Sequence, residues 1–169
     1  MLSESARMAS AAEARFRIDA PNSKPRAIKI IALDRQSDRV VKRLAEGSWN
    51  RASFFTASAF AGTPQPGNFS MTGWLSDLAG RTTDLVNEVN SADLVVMVAT
   101  AGESAAAAAI IGEACSVKRV NTTGLIIGSA GASDEALSKT LAQLRPWSLM
   151  LVIASADDYI EDMLAALRA

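Results

Sequence analysis

Residues 92–128 read ADLVVMVATAGESAAAAAIIGEACSVKRVNTTGLIIG. The opening ADLVVMVA (92–99), apolar from Leu94 to Ala99, predicts a strand. Residues 103–116 carry five consecutive alanines (105–109) and continue in helix-forming residues. Alanine lets a helix approach a sheet closely at little side-chain entropy cost. TTGLIIG (122–128) predicts a second strand. A strand, a helix of about ten residues and another strand define a right-handed crossover between parallel strands.

The same alternation extends in both directions. AIKIIALD (27–34) is a β-branched run that predicts a strand, followed by a helix over 38–46 with Val40, Val41 and Leu44 on one face. Residues 52–60 predict a strand with Phe54 and Phe55 as its bulk. AGTPQPGNFS (61–70) is a loop by its Pro, Gly and Asn content, long enough to serve as a covering loop. Helical signal resumes over 74–78 and again over 82–90, where Leu85, Val86 and Val89 form a stripe. A helix over 134–144 is capped by Ser133, with Asp134 and Glu135 in its first turn. SLMLVIAS (148–155) predicts a strand and 157–168 a last helix. The expected fold is α/β: a three-layer, mostly parallel, doubly wound (Rossmann-like) sheet of about five strands, with helices on both faces. Residues 27–169 form the domain, and residues 1–26, which end in Pro21-Asn22-Ser23-Lys24-Pro25, form an N-terminal extension.

Composition removes several chemistries. The chain has 169 residues, 17 basic and 18 acidic, and no histidine. Histidine-dependent triads and typical zinc sites are therefore excluded within it, leaving carboxylate sites for Mg²⁺ or Ca²⁺. The near-zero net charge gives no footprint for nucleic acid. Arg39, Lys42 and Arg43 read as a solvated helix face. The single cysteine, Cys115, lies in an apolar helical stretch and reads as a small buried hydrophobe. No run approaches the length of a membrane span, and the first residues carry no secretory h-region, so a cytoplasmic protein is expected.

Ligands of open α/β sheets bind beyond the carboxyl ends of the strands. The candidate positions are Asp34, Arg35, Gln36 and Ser37 after the first strand, and Thr100, Gly102, Glu103 and Ser104 after the strand at 92–99. Ser129 and Gly131 follow the next strand, and Asp157 the last. Turns and helix caps have the same small, polar composition, so both readings stand. No G-x-G-x-x-G or Walker A pattern occurs. Asp34, Asp38 and Glu103 stand where phosphate would be repelled unless a cation lay between. Asp34 is the candidate catalytic acid or base, and Asp34 with Asp38 the candidate Mg²⁺ ligands. Trp49, Phe69, Met71 and Trp74 lie in or near predicted connections and suit either a partner surface or core anchoring.

The register resembles the nucleotide-binding domain of the tubulin/FtsZ family. IKIIALDRQSDRVVKRL (28–44) lies on that family's opening strand, turn and helix. NSADLVVMVATAGESAAAAAIIGEAC (90–115) lies on its next strand, signature loop and helix, and TTGLIIG on the strand after. ALSKTLAQLRPWSLMLVIASADDYIEDML (136–164) lies on the following helix, strand and guanine-side segment. Most signature glycines are replaced: Asp34–Asp38 stand at the first turn, and Gly102, Glu103 and Ser104 are what remains of the loop. The family's later catalytic loop and second domain have no counterpart in these residues. The resemblance implies a diverged domain for which GTP is not the expected ligand and the cofactor is unknown. It would act non-catalytically through protein contacts or as a homo-oligomer. A small-molecule or altered-nucleotide binder using loops 34–38 and 100–104, and a Rossmann-like enzyme using Asp34, are the alternatives.

Overall fold

The computed structural model describes residues 24–58, 75–155 and 158–169. Seven strands form one sheet: β1 (Ile28–Ala32), β2 (Ala52–Thr56), β3 (Leu75–Asp77), β4 (Thr82–Thr83), β5 (Leu94–Thr100), β6 (Asn121–Ile127) and β7 (Met150–Ile153). Their order is β4-β3-β2-β1-β5-β6-β7. The five strands β2, β1, β5, β6 and β7 are parallel, and β3 and β4 add an antiparallel ribbon at one edge. The helices are α1 (Arg35–Ala45), α2 (Leu85–Asn90), α3 (Ala107–Lys118), α4 (Asp134–Leu144) and α5 (Asp158–Ala166).

All seven residues of β5 are buried, and their alternation builds both halves of the core. Val95, Met97 and Ala99 join Ile31, Leu33, Leu85, Ala108, Ile111 and Leu144 under α2, α3 and α4. Leu94, Val96 and Val98 join Ile28, Ile30, Val41, Leu44, Ile160 and Leu164 under α1 and α5. Each fully buried aliphatic side chain contributes about 1.5–3 kcal/mol of transfer free energy, an upper figure for a real unfolded chain. This is the three-layer, doubly wound architecture expected from the alternation of strands and helices.

Three expectations are corrected. The residues read as helical over 74–78 contain β3, which hydrogen-bonds β2 on one side and β4 on the other. Asp77 organises the β3–β4 turn by accepting from the Ala79 and Arg81 amides at 3.0 and 2.8 Å. The sheet therefore has seven strands rather than about five. The first helix begins at Arg35 rather than residue 38, because Asp34 and Ser37 close a reciprocal cap at its N-terminus. The alanine-rich helix begins at Ala107 rather than residue 103. The loop at 61–70, Phe69, Met71, Trp74 and most of the N-terminal extension lie outside the described residues.

Chain direction across the sheet reverses between β1 and β5. From β1 the chain moves to β2 through α1 on one face, and from β5 to β6 through α3 on the other. The loops leaving β1 and β5 therefore diverge, and their starting points, Asp34 and Thr100, are neighbours. This is the crevice where open α/β sheets take ligands.

Candidate functional site

Asp34 is the N-cap of α1 and is only 7% exposed. One carboxylate oxygen, Oδ1, accepts from the amides of Gln36 and Ser37, each at 2.9 Å, and from the Thr100 hydroxyl at 2.9 Å. The other, Oδ2, accepts from the Thr100 amide at 2.8 Å. Ser37 returns the cap: its hydroxyl accepts from the Asp34 amide at 3.1 Å and donates to the Asp34 carbonyl at 2.9 Å. A single carboxylate thus satisfies the first turn of α1 and ties the end of β1 to the end of β5. Helix N-termini attract anions because their amides are unpaired and the dipole end is positive. Here the anion is part of the chain.

The loop after β5 is closed in a similar way by α4. The Gly102 amide donates to Thr140 Oγ1 at 3.0 Å, and the Ala105 amide donates to Gln143 Oε1 at 2.6 Å. Thr140, fully buried, directs its own hydroxyl toward the Glu103 carbonyl at 3.1 Å. The Ala101 amide donates to the Ile127 carbonyl and the Glu103 amide to the Thr100 carbonyl. Gly102 has φ +91°, and a Cβ there would stand 3.3 Å from that of Ala136. A left-handed residue pressed against α4 calls for glycine.

The sequence candidates divide accordingly. Asp34, Ser37 and Thr100 meet in one buried cluster. Gln36 and Glu103 face each other across the exposed rim, with Gln36 Nε2 donating to Glu103 Oε1 at 3.3 Å. Arg35 is exposed. Ser104 accepts from the Ala106 amide at 3.4 Å, a local turn contact. Ser129 donates to the Ala154 carbonyl at 3.1 Å, joining the β6 and β7 exits. Gly131 lies in an exposed 3-10 turn (Ser129–Gly131), with open space around its α-carbon. Asp157 lies outside the described residues. Asp38 does not join Asp34; its Oδ2 pairs with Lys42 at 2.8 Å, one turn further along α1. Among the described residues no group of three or more Cys, Asp or Glu side chains could hold a metal ion. Thr140 and Gln143 escaped the sequence reading. Their spacing places them one turn apart on α4, but only the strand order shows that this turn crosses the end of β5.

A cleft of about 330 Å³ opens at the opposite end of the sheet, lined in part by Gly112, Cys115, Val120, Trp147 and Leu149. Burial pushes the Cys115 thiol up to about 12 from its ordinary 9.0, so it is a protonated, apolar group. Trp49 is half-buried; its indole N–H donates to the Leu44 carbonyl at 2.7 Å, and its ring tilts against Phe54. Among the described residues no helix is long and apolar enough to cross a membrane.

No protein-family model matches the chain, and no curated protein matches it. Among solved structures it is similar to apo translation elongation factor SelB from Methanococcus maripaludis, with a TM-score of 0.43 and 10% identity. That match covers 81% of this chain and 35% of the SelB chain.

Proposed function

We propose that this chain is a non-catalytic α/β domain, a diverged relative of the tubulin/FtsZ nucleotide-binding domain, acting in the cytoplasm through protein contacts or self-association. The supporting observation is that backbone donors at the β1/β5 crevice are taken by Asp34, Thr140 and Gln143. A phosphate entering there would have to displace a carboxylate holding four hydrogen bonds, and it would be repelled by that carboxylate as it came. A carboxylate so engaged is also poorly placed to act as an acid, a base or a Mg²⁺ ligand. Support for the family part of the reading is that segments 28–44, 90–115 and 136–164 form strand and helix units in the aligned order.

Small-molecule binding is the second reading. It rests on the Gln36–Glu103 pair, whose exposed amide and carboxylate present polar groups to a ligand at the rim.

Thermal unfolding with and without GTP, GDP and other nucleotides, each with Mg²⁺, tests the proposal. A ligand at about a hundred times its Kd stabilises a fold by roughly 2.7 kcal/mol, which corresponds to a rise of about 5–10 °C for a domain of this size. No shift is expected. A rise selective for one nucleotide would overturn the proposal and show that the crevice opens to phosphate.

A further inference from the structure

The parallel half of the sheet ends at β7, which pairs with β6 and with no other described strand. Natural edge strands are usually guarded by lysine, proline, a bulge or a covering element, because an open row of amides and carbonyls invites another strand. No charged residue occurs from Pro146 to Ala156, and no proline follows Pro146 in that run. The edge is also apolar and open: Leu149 is 78% exposed, Ile153 45% and Met150 42%. The other edge of the sheet, β4, has two residues and is preceded by Arg81.

Backbone direction fixes what the edge offers. The Ala154 amide donates to the Ile126 carbonyl on β6. By alternation, the amides and carbonyls of Leu151 and Ile153 turn to the open side. Side chains alternate as well: Leu151 packs toward the α3/α4 face and Val152 toward the α1/α5 face. Ile153 therefore shares the face of Leu151. Leu149 precedes β7 and its amide turns back to the Thr122 carbonyl at 3.0 Å, but its side chain lines the cleft with Gly112, Cys115 and Trp147, on that same α3 side.

We propose that β7 pairs antiparallel with β7 of a second copy of this chain, about a two-fold axis through Leu151. This names the partner for the protein-contact role proposed above and rests on that reading for its purpose. A two-fold perpendicular to the sheet keeps each face on its own side, so residues of like parity must oppose one another. With the axis at Leu151, the outward backbone groups of Leu151 in the two copies bond reciprocally. Leu149 of each copy then meets Ile153 of the other, and Met150 meets Val152. All five positions set apolar against apolar, and the uncharged run brings no like charges together. The same strand thus supplies both halves of a complementary interface, which a foreign strand would need to match by its own sequence. The contact is isologous, so it closes at two copies rather than propagating.

The test is sedimentation of the full chain at roughly 100 μM, above the micromolar Kd expected of a modest interface. Wild type should run as a dimer. Leu149→Lys and Ile153→Glu, each on an exposed position, should each weaken the dimer at least about 100-fold by setting a charge against an apolar partner. Their melting curves should show the cooperative fold intact. The double variant should dimerise again, because the two-fold places each introduced ammonium opposite the other copy's introduced carboxylate. A monomeric wild type overturns the proposal and points to residues 1–23 or another protein as the cover. A dimer indifferent to both single variants, or a folded double variant that stays monomeric, overturns it as well. A monomer that binds no nucleotide would leave the reading of the crevice standing, and a nucleotide-binding dimer would do the reverse.

Discussion

Asp34 gives the sharpest prediction, because structure and ligand chemistry disagree on the sign. Asp34→Ala removes the acceptor for four hydrogen bonds. Loss of an N-cap costs about 1 kcal/mol. Stranding the Thr100 amide in a buried position costs a further 1–3 kcal/mol or so, and the Thr100 hydroxyl can rotate away and adds little. The expected loss is about 3 kcal/mol, a large part of the roughly 5–15 kcal/mol that holds a domain together. At about 2–4 °C per kcal/mol for a chain of this length, the melting temperature falls by roughly 6–12 °C. Two further variants divide the loss. Asp34→Ser keeps a cap-competent oxygen but is too short to reach Thr100, so it recovers the capping share of about 1 kcal/mol. Asp34→Asn keeps the cap but turns an amide N–H₂ toward the Thr100 N–H, losing about 1–2 kcal/mol. Urea denaturation resolves all three. A carboxylate placed for a ligand or for catalysis is neutral or costly to the fold. An Asp34→Ala variant as stable as wild type, or more so, would refute the clip between β1 and β5.

Two other positions test the packing around this frame. Gly112→Ala should destabilise, although alanine favours a helix over glycine by about 1 kcal/mol. Its Cβ would stand 2.6 Å from that of Trp147, and overpacking of this kind costs about 1–3 kcal/mol; a more stable variant in urea denaturation would show that Trp147 can move aside. Asp77 has its carboxyl held below the ordinary 3.8, first by the hydrogen bond from the Arg81 amide and also by its side-chain contacts with Arg81. A depressed value means that the turn is supported above the unfolded chain's carboxylate range and loosens as pH falls through the lowered value. The amide resonances of Ala79 and Arg81 should titrate with a midpoint below 3.8, and a midpoint at or above it would refute the contact.

Much of the fold is legible because burial on both faces leaves a plain mark. β5 is apolar from Leu94 to Ala99, β1 is broken only by Lys29, and β6 closes on Leu125-Ile126-Ile127; such runs without alternation suit a strand with helices above and below. β3 and β4 leave almost none. They total five residues at an edge, with Leu75 the one apolar side chain fully buried there, and a tryptophan-leucine pair beside them imitates a helical stripe. The signal that was present is turn chemistry: Asp77, then Gly80 at φ +82°, then Arg81. The start of α1 was missed for a related reason. Asp34-Arg35-Gln36-Ser37 is a capping box with a serine in the place where glutamate is usual. At the crevice, Asp34 and Thr100 follow from the rule that ligands sit beyond strand ends. Their direct contact does not, since it needs β1 and β5 to be neighbours, and sequence order separates those strands by three other strands and two helices.

The crevice also obeys a conservation of partners. Where two loops diverge from adjacent parallel strands, amides are turned toward a common space, and buried amides must be satisfied. A bound anion is one solution, and in this chain Asp34 is another, its carboxylate standing where such an anion would. This equivalence can be tested by replacement. Asp34→Gly empties the position without adding bulk, and leaves the Gln36, Ser37 and Thr100 amides facing a small space at a helix N-terminus. Acetate, a free carboxylate, should then raise the melting temperature of Asp34→Gly in a saturable manner while leaving wild type unaffected. Chloride at equal ionic strength controls for screening, which acts on both proteins alike. Equal responses of variant and wild type, or none in the variant, would mean that the donors had found other partners, and that Asp34 serves the α1 cap without standing in for a ligand.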